Sequence, residues 1–187
     1  MSPPPPEMRA ASTVAKASAS IAVLAAALWL GGTLALGAVT APVIFGSLPA
    51  PSSGDVMTII FRRFDKVAMG CAAIVLLAEV LRAAARERIA RLDFGRVGMA
   101  LIATGLLAWQ ALVLSPRIEA LHRAGAVRGS GSLGVELEAV HRLTESEARV
   151  QLFCVAALVV LHIVAVARPR TISPRVGKSA SELPAVE

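Results

Sequence analysis

From Ala17 to Gly54 the chain carries no charged residue, a run far longer than a helix in a soluble core needs. A helix crosses the hydrocarbon of a bilayer in about 20 mostly apolar residues. Three later stretches meet or approach that test. The segment between Lys66 and Arg82 is interrupted by Glu79, Val97 to Ser115 stops at Pro116, and Val150 to Ala167 is bracketed by Arg149 and Arg168. The second stretch is the shortest. Phe61 and Phe64 extend it at one end, and the aliphatic stem of Arg82 covers lipid at the other. The pattern predicts an all-α polytopic membrane protein, a bundle of four transmembrane helices with helical extensions. Spans are expected at about 18–45, 64–85, 97–115 and 148–168, within one domain covering 18–168. Pro42 is expected to end or kink the first helix, because proline removes a helical donor.

Composition points the same way. Of 187 residues 56% are hydrophobic and 17% charged, against about 45–50% and about 25% in soluble domains. The polar, Pro-rich ends, 1–17 and 169–187, read as disordered tails. The first apolar run is longer than a cleaved signal requires, so it is read as a retained span. After the Gly/Ser-rich stretch at 129–134, Leu137, Val140, Leu143 and Ala148 recur at helical spacing. The last helix is therefore expected to begin near Leu133 or Gly134, outside the bilayer.

The net charge of +6 does not indicate nucleic acid, since no reading motif accompanies it. Its Arg residues cluster beside apolar segments, as orientation charges do. Eleven of the nineteen Lys and Arg fall in the two tails and in the connection between spans two and three, Arg82 and Arg96 among them. That bias predicts a multi-pass protein of the cytoplasmic membrane with both termini in the cytoplasm. The expected partners are the lipid bilayer and other membrane helices or a second copy.

Trp29-Leu30-Gly31-Gly32, followed by Ala41-Pro42-Val43-Ile44-Phe45, resembles the transmembrane protein 205-like family. Ile60-Phe61-Arg62-Arg63-Phe64 is similar to that family's approach to its second helix, and Val140-His141-Arg142-Leu143-Thr144 to the block before its last. Thr144 departs from the Ser expected there. The resemblance spans roughly Ser18 to Ala167 and implies a four-helix membrane domain of unknown function, with no agreed chemistry.

The candidate functional or packing residues are those that break the apolar pattern or thin it. Gly31 and Gly32, beside Trp29, suit close helix packing. Glu79 is an ionisable group in a span, which marks a functional candidate; its expected partners are Arg82 and Arg86 on the same helix. Gln110 is expected to bridge helices by hydrogen bonds. His162 reads as a buried, bonded imidazole. Cys71 and Cys154 each lie five residues past a flanking charge and so share an expected depth. Arg62 or Arg63 is expected to reach the His141–Glu145 face, as a polar cap or as a site for a small or anionic solute, with His141 titrating near neutral pH.

No nucleophile–base pair or phosphate loop is legible, so an enzyme is not expected. Nor is there a cofactor motif or a metal-ligand set. Two functional classes remain. One is a non-enzymatic membrane protein, either a small-solute permease subunit or an assembly or stress factor. The alternative is a redox-, metal- or haem-linked membrane protein using His162, Cys71, Cys154 and Met69.

Overall fold

The structure, a computed structural model, describes residues 6–49, 52–84 and 91–167. They form four long helical rods. The first is α1 (Pro6–Ala35), a π turn (Leu36–Thr40) and α2 (Ala41–Ser47); the second is α3 (Ser52–Ala84). The third is α4 (Arg91–Trp109), a second π turn (Gln110–Leu114) and α5 (Ser115–Arg123), and the fourth is α6 (Gly131–Ala167). All four are long and apolar enough to cross a membrane. Among the described residues the only β pairing is an isolated bridge between Val127 and Ser130. The chain is thus an all-α helix bundle, as the hydropathy pattern predicts.

The rods run up and down, so the described ends at Pro6 and Ala167 share one end of the bundle, the terminal end. The turns before α3 and α6 lie at the other, the loop end. Each rod packs on its neighbours in sequence, and α1 closes the ring against α6. The interior is set by one stripe on each helix at three- and four-residue spacing. On α1 it is Ala15, Ser18, Ala19, Ala22, Ala25, Ala26 and Trp29. On α3 it runs through Ala68, Cys71, Ala72, Val75 and Ala78 to Glu79 and Arg82. Asp93, Arg96, Ala100, Ala103 and Leu107 make the α4 stripe; Glu147, Gln151, Cys154, Val155, Leu158 and His162 make that of α6. Between lipid-facing helices the hydrophobic effect contributes little, so close packing of these small residues holds the rods together. The polar members fall at the two ends of the stripes, with the apolar cluster between them.

Two features differ from expectation and a third agrees with it. Residues 6–17 are helical rather than a tail, because four of them are Ala and Glu7, Met8, Arg9 and Lys16 are further strong helix formers; residues 1–5 and 169–187 lie outside those described. The prolines do not stop their helices either. Pro42 and Pro116 each lie at the first positions of a new α segment, directly after a π turn. In those turns Ala41 N–H donates to the Leu36 carbonyl and Ser115 N–H to that of Gln110, one residue wider than α. The wider turn absorbs the missing proline donor, and Thr40 Oγ1 donates to the Ala35 carbonyl at 3.3 Å. A spanning helix needs such repair, since lipid offers freed carbonyls no partner. Finally, α6 has 37 residues, about 55 Å of helix against about 30 Å of hydrocarbon. Its first turns therefore stand clear of the span, as the Leu137–Ala148 spacing predicts.

Of the paired glycines only Gly32 is needed for packing. A Cβ there would run into the Phe64 ring of α3, whereas at Gly31 it would meet open space. Gly32→Ala should cost about 1–3 kcal/mol through overpacking, while Gly31→Ala should fall within about 0.5 kcal/mol of wild type. Melting of the two purified variants in detergent measures the difference; equal melting would remove the contact as a packing constraint.

Candidate functional site

At the terminal end the stripes of α3, α4 and α6 bring five polar side chains into one buried cluster. Arg96 grips Glu79 through both carboxylate oxygens, Nε to Oε1 at 2.6 Å and Nη2 to Oε2 at 2.7 Å. The same Nη2 donates to Asp93 Oδ1 at 2.9 Å. Arg82 Nη1 is 3.8 Å from Glu79 Oε1 and 3.1 Å from His162 Nδ1. A guanidinium has only donors, so Nδ1 accepts and the ring proton is on Nε2, which faces Glu79 Oε1 at 3.4 Å. Two carboxylates thus balance two guanidiniums around a neutral imidazole. Glu79 is 4% exposed, Arg96 1% and His162 0%, so the cluster is cut off from water.

This corrects the expectation for Glu79. The expected Arg82 pairing is present at 3.8 Å, but the closer partner is Arg96 of the next helix, and Arg86 lies outside the described residues. It also shows Arg82 and Arg96, counted above as orientation charges, to be interior groups, which narrows the charge bias between the two sides. The overlooked signal is the register: Glu79, Arg82 and Arg96 continue the buried stripes, but beside a loop they read as flanking charges.

A small cavity, about 50 Å³, lies in the loop-end half of the interior. Trp29, Thr33, Phe64, Asp65, Gln110 and Gln151 are among the residues that line it. Both π turns border it, through Leu36 and Gln110; such bulges recur where a helix is shaped for function. Gln110 is half-buried against this space rather than engaged as a bridge between helices. Trp29 is 1% exposed and forms the floor, with Leu107, above the apolar cluster that holds both Cys71 and Cys154. The two thiols are free and buried, on helices that face each other across the bundle. Asp65 and Glu147 are expected from sequence at one mouth of the bundle, outside the hydrocarbon; the structure buries both and sets Gln151 beside them on the α6 stripe.

The expected contact of Arg62 or Arg63 with the His141–Glu145 face is not made. Arg62 instead pairs with Glu119 of α5 at 3.0 Å, because α5 continues past Pro116 and comes between them. His141 packs beside His122, ring centroids 6.1 Å apart. Burial, together with the positive charges of Arg128 and His122, pushes His141 below the usual imidazole range. Arg63 and Phe45 are exposed. Arg117 pairs with Glu136, and Arg128 with Glu138. This rim is solvated charge, which contributes little to stability.

The residues of the redox or metal alternative are not assembled as a donor set. Among the described residues no group of three His, Cys, Asp or Glu is placed to hold a metal ion, His162 is engaged by Arg82, and Met69 is on an exposed face.

No curated protein and no solved structure matches the chain. A family match does cover residues 24–126, from within α1 through the second and third rods, with both π turns. It stops short of α6, which supplies His162 to one polar region and Gln151 to the other. With more than half its length matched, the chain belongs to the family described as a domain of unknown function, DUF4149.

Proposed function

We propose that the protein is a small-solute permease or permease subunit of the cytoplasmic membrane, non-enzymatic, with both termini in the cytoplasm and the cavity facing outward. The observation that carries this reading is the asymmetry of the interior. A small, mainly apolar cavity with Asp65, Gln110 and Gln151 in its wall lies in the loop-end half, bounded by Trp29 and Leu107, and we take it to open at that end, while the terminal end is closed by a charge-balanced cluster of five side chains. A one-sided opening over a closed far end is the arrangement that alternating access requires. The cavity volume sets the solute class, since about 50 Å³ has room for only a few water-sized groups. Kinship with the transmembrane protein 205-like family, on the Trp29–Gly32 and Ile60–Phe64 segments, is part of the same reading. The partners are lipid and other membrane helices or a second copy, with the exposed small residues Ala27, Gly31, Ala35 and Ala38 offering one close-packing face.

Two measurements test it. Reporter fusions at Gly54 and Lys178 should behave oppositely, Lys178 giving the cytoplasmic signal; the reverse pattern would place the cavity inside. Purified protein in vesicles should pass urea, glycerol, glycine or alanine faster than empty vesicles do. Rates equal to those of empty vesicles for all four would leave the assembly or stress role as the better reading.

A further inference from the structure

Asp65 of α3 and Glu147 of α6 are both buried at the loop-end side of the core, 6% and 7% exposed. The Asp65 carboxylate acts electrostatically on Glu147. Among the described residues no Lys, Arg or His comes within ion-pair distance of either. The Ser115 hydroxyl is the neutral group beside Asp65, whereas neither oxygen of Glu147 has a hydrogen-bond partner. One turn on from Glu147, on the same helix face, Gln151 is 4% exposed and lines the cavity with its Nε2 unpartnered. The other groups facing this space are neutral: Thr33 and Trp29 from α1 and Gln110 from the third rod. The contrast with the terminal end is chemical. There every buried carboxylate meets a guanidinium; here two buried carboxylates share one end of the interior with no cation within ion-pair distance among the described residues.

Two anions held out of water in one region without a counter-charge are unfavourable, first by desolvation and then by repulsion. Something positive must be held with them, and the smallest ligand able to satisfy the pair is a proton. We propose that Asp65 and Glu147 form a proton-binding site at the edge of the cavity, holding one proton on the Glu147–Asp65 pair at neutral pH. The proton comes from water at the cavity mouth and adds to a carboxylate oxygen. It leaves by the same route, no other bond being made or broken. Once protonated, Glu147 is neutral and gains a hydroxyl donor, which removes the unpaired buried charge. The site needs no solute and holds whether or not the permease reading does.

Infrared difference spectra of the purified full-length protein between about pH 5 and about pH 9, in detergent without added solute, test this. A carboxylic-acid carbonyl band should persist at neutral pH and disappear toward the alkaline end. Glu147→Gln, close in shape to the protonated side chain, should remove that band or shift what remains to Asp65, as isotope-labelled aspartate would reveal in the unmutated protein. Asp65→Asn with Glu147→Gln should abolish it. Absence of the band from folded wild-type protein at neutral pH would overturn the proposal. So would a band unchanged in the double variant, or a band replaced on adding sodium but not choline, which would mark a metal-cation site.

Discussion

Replacing Glu79 by Leu should cost about 3–5 kcal/mol of stability and, in a bundle of this size, should leave little folded protein at growth temperature. The carboxylate is gripped at both oxygens by Arg96 and is 4% exposed, so its removal leaves a guanidinium out of water with, among the described residues, Asp93 as its remaining ion-pair partner. The cost is that of the stranded charge more than of the lost bonds. Two further variants separate those causes. Glu79→Gln keeps an acceptor and should fall between Leu and wild type. Glu79→Leu combined with Arg96→Met removes one charge of each sign and should recover most of the loss, as replacement of whole buried pairs does elsewhere. Detergent melting followed by tryptophan fluorescence reads all three. A single Leu variant that melts with wild type would show that the cluster is solvated.

Trp29→Ala should weaken the bundle by about 3–5 kcal/mol, as truncating a large buried aromatic does, and should also change what water can reach. The indole forms the floor of the loop-end cavity and belongs to the apolar cluster that holds Cys71 and Cys154. Its loss joins the cavity to that cluster. Labelling of the two thiols by a water-soluble maleimide should then rise about tenfold or more, the signature of a lowered opening free energy. Trp29→Phe should keep most of the protection, because a ring still fills the position. Destabilisation with unchanged thiol protection would mean that Trp29 packs the bundle without sealing the cavity. Under the permease reading, the same variant should leak solutes across vesicles without needing the terminal cluster to open.

The exposed Arg and Glu residues at the loop-end rim carry no comparable expectation. Arg62 with Glu119 and Arg117 with Glu136 are solvated on at least one side, and such pairs are weakened by screening and side-chain entropy. The contrast with Glu79 and Arg96 is one of burial, since the residue types are the same.

The four-helix membrane architecture was determined by the sequence alone, because hydrocarbon imposes one rule over a long window and four apolar stretches satisfy it. So was the shared end of the termini, which follows from an even number of crossings, and the projection of α6, which follows from apolar spacing beyond the span. The identity of the inward face was also present, at Ala68, Cys71, Val75 and Glu79, as helical periodicity. What periodicity leaves open is which helices meet, and the chemistry here depends on that. Glu79 becomes a fixed ion-pair member because α4 presents Arg96 to it, and Asp65 an uncompensated acid because α6 presents Glu147 rather than a cation. Arg82 and Arg96 read as loop charges because sequence places them beside a connection, while the long stripes of α3 and α4 carry them into the core. The prolines misled for a related reason. A proline's local effect is to remove a donor, but in a membrane the whole helix adjusts to keep its carbonyls bonded, and the π turns before Pro42 and Pro116 are the result. Local chemistry thus set the elements, and only the packing of four rods around one interior decided which polar groups are paired and which two carboxylates are left to share a proton.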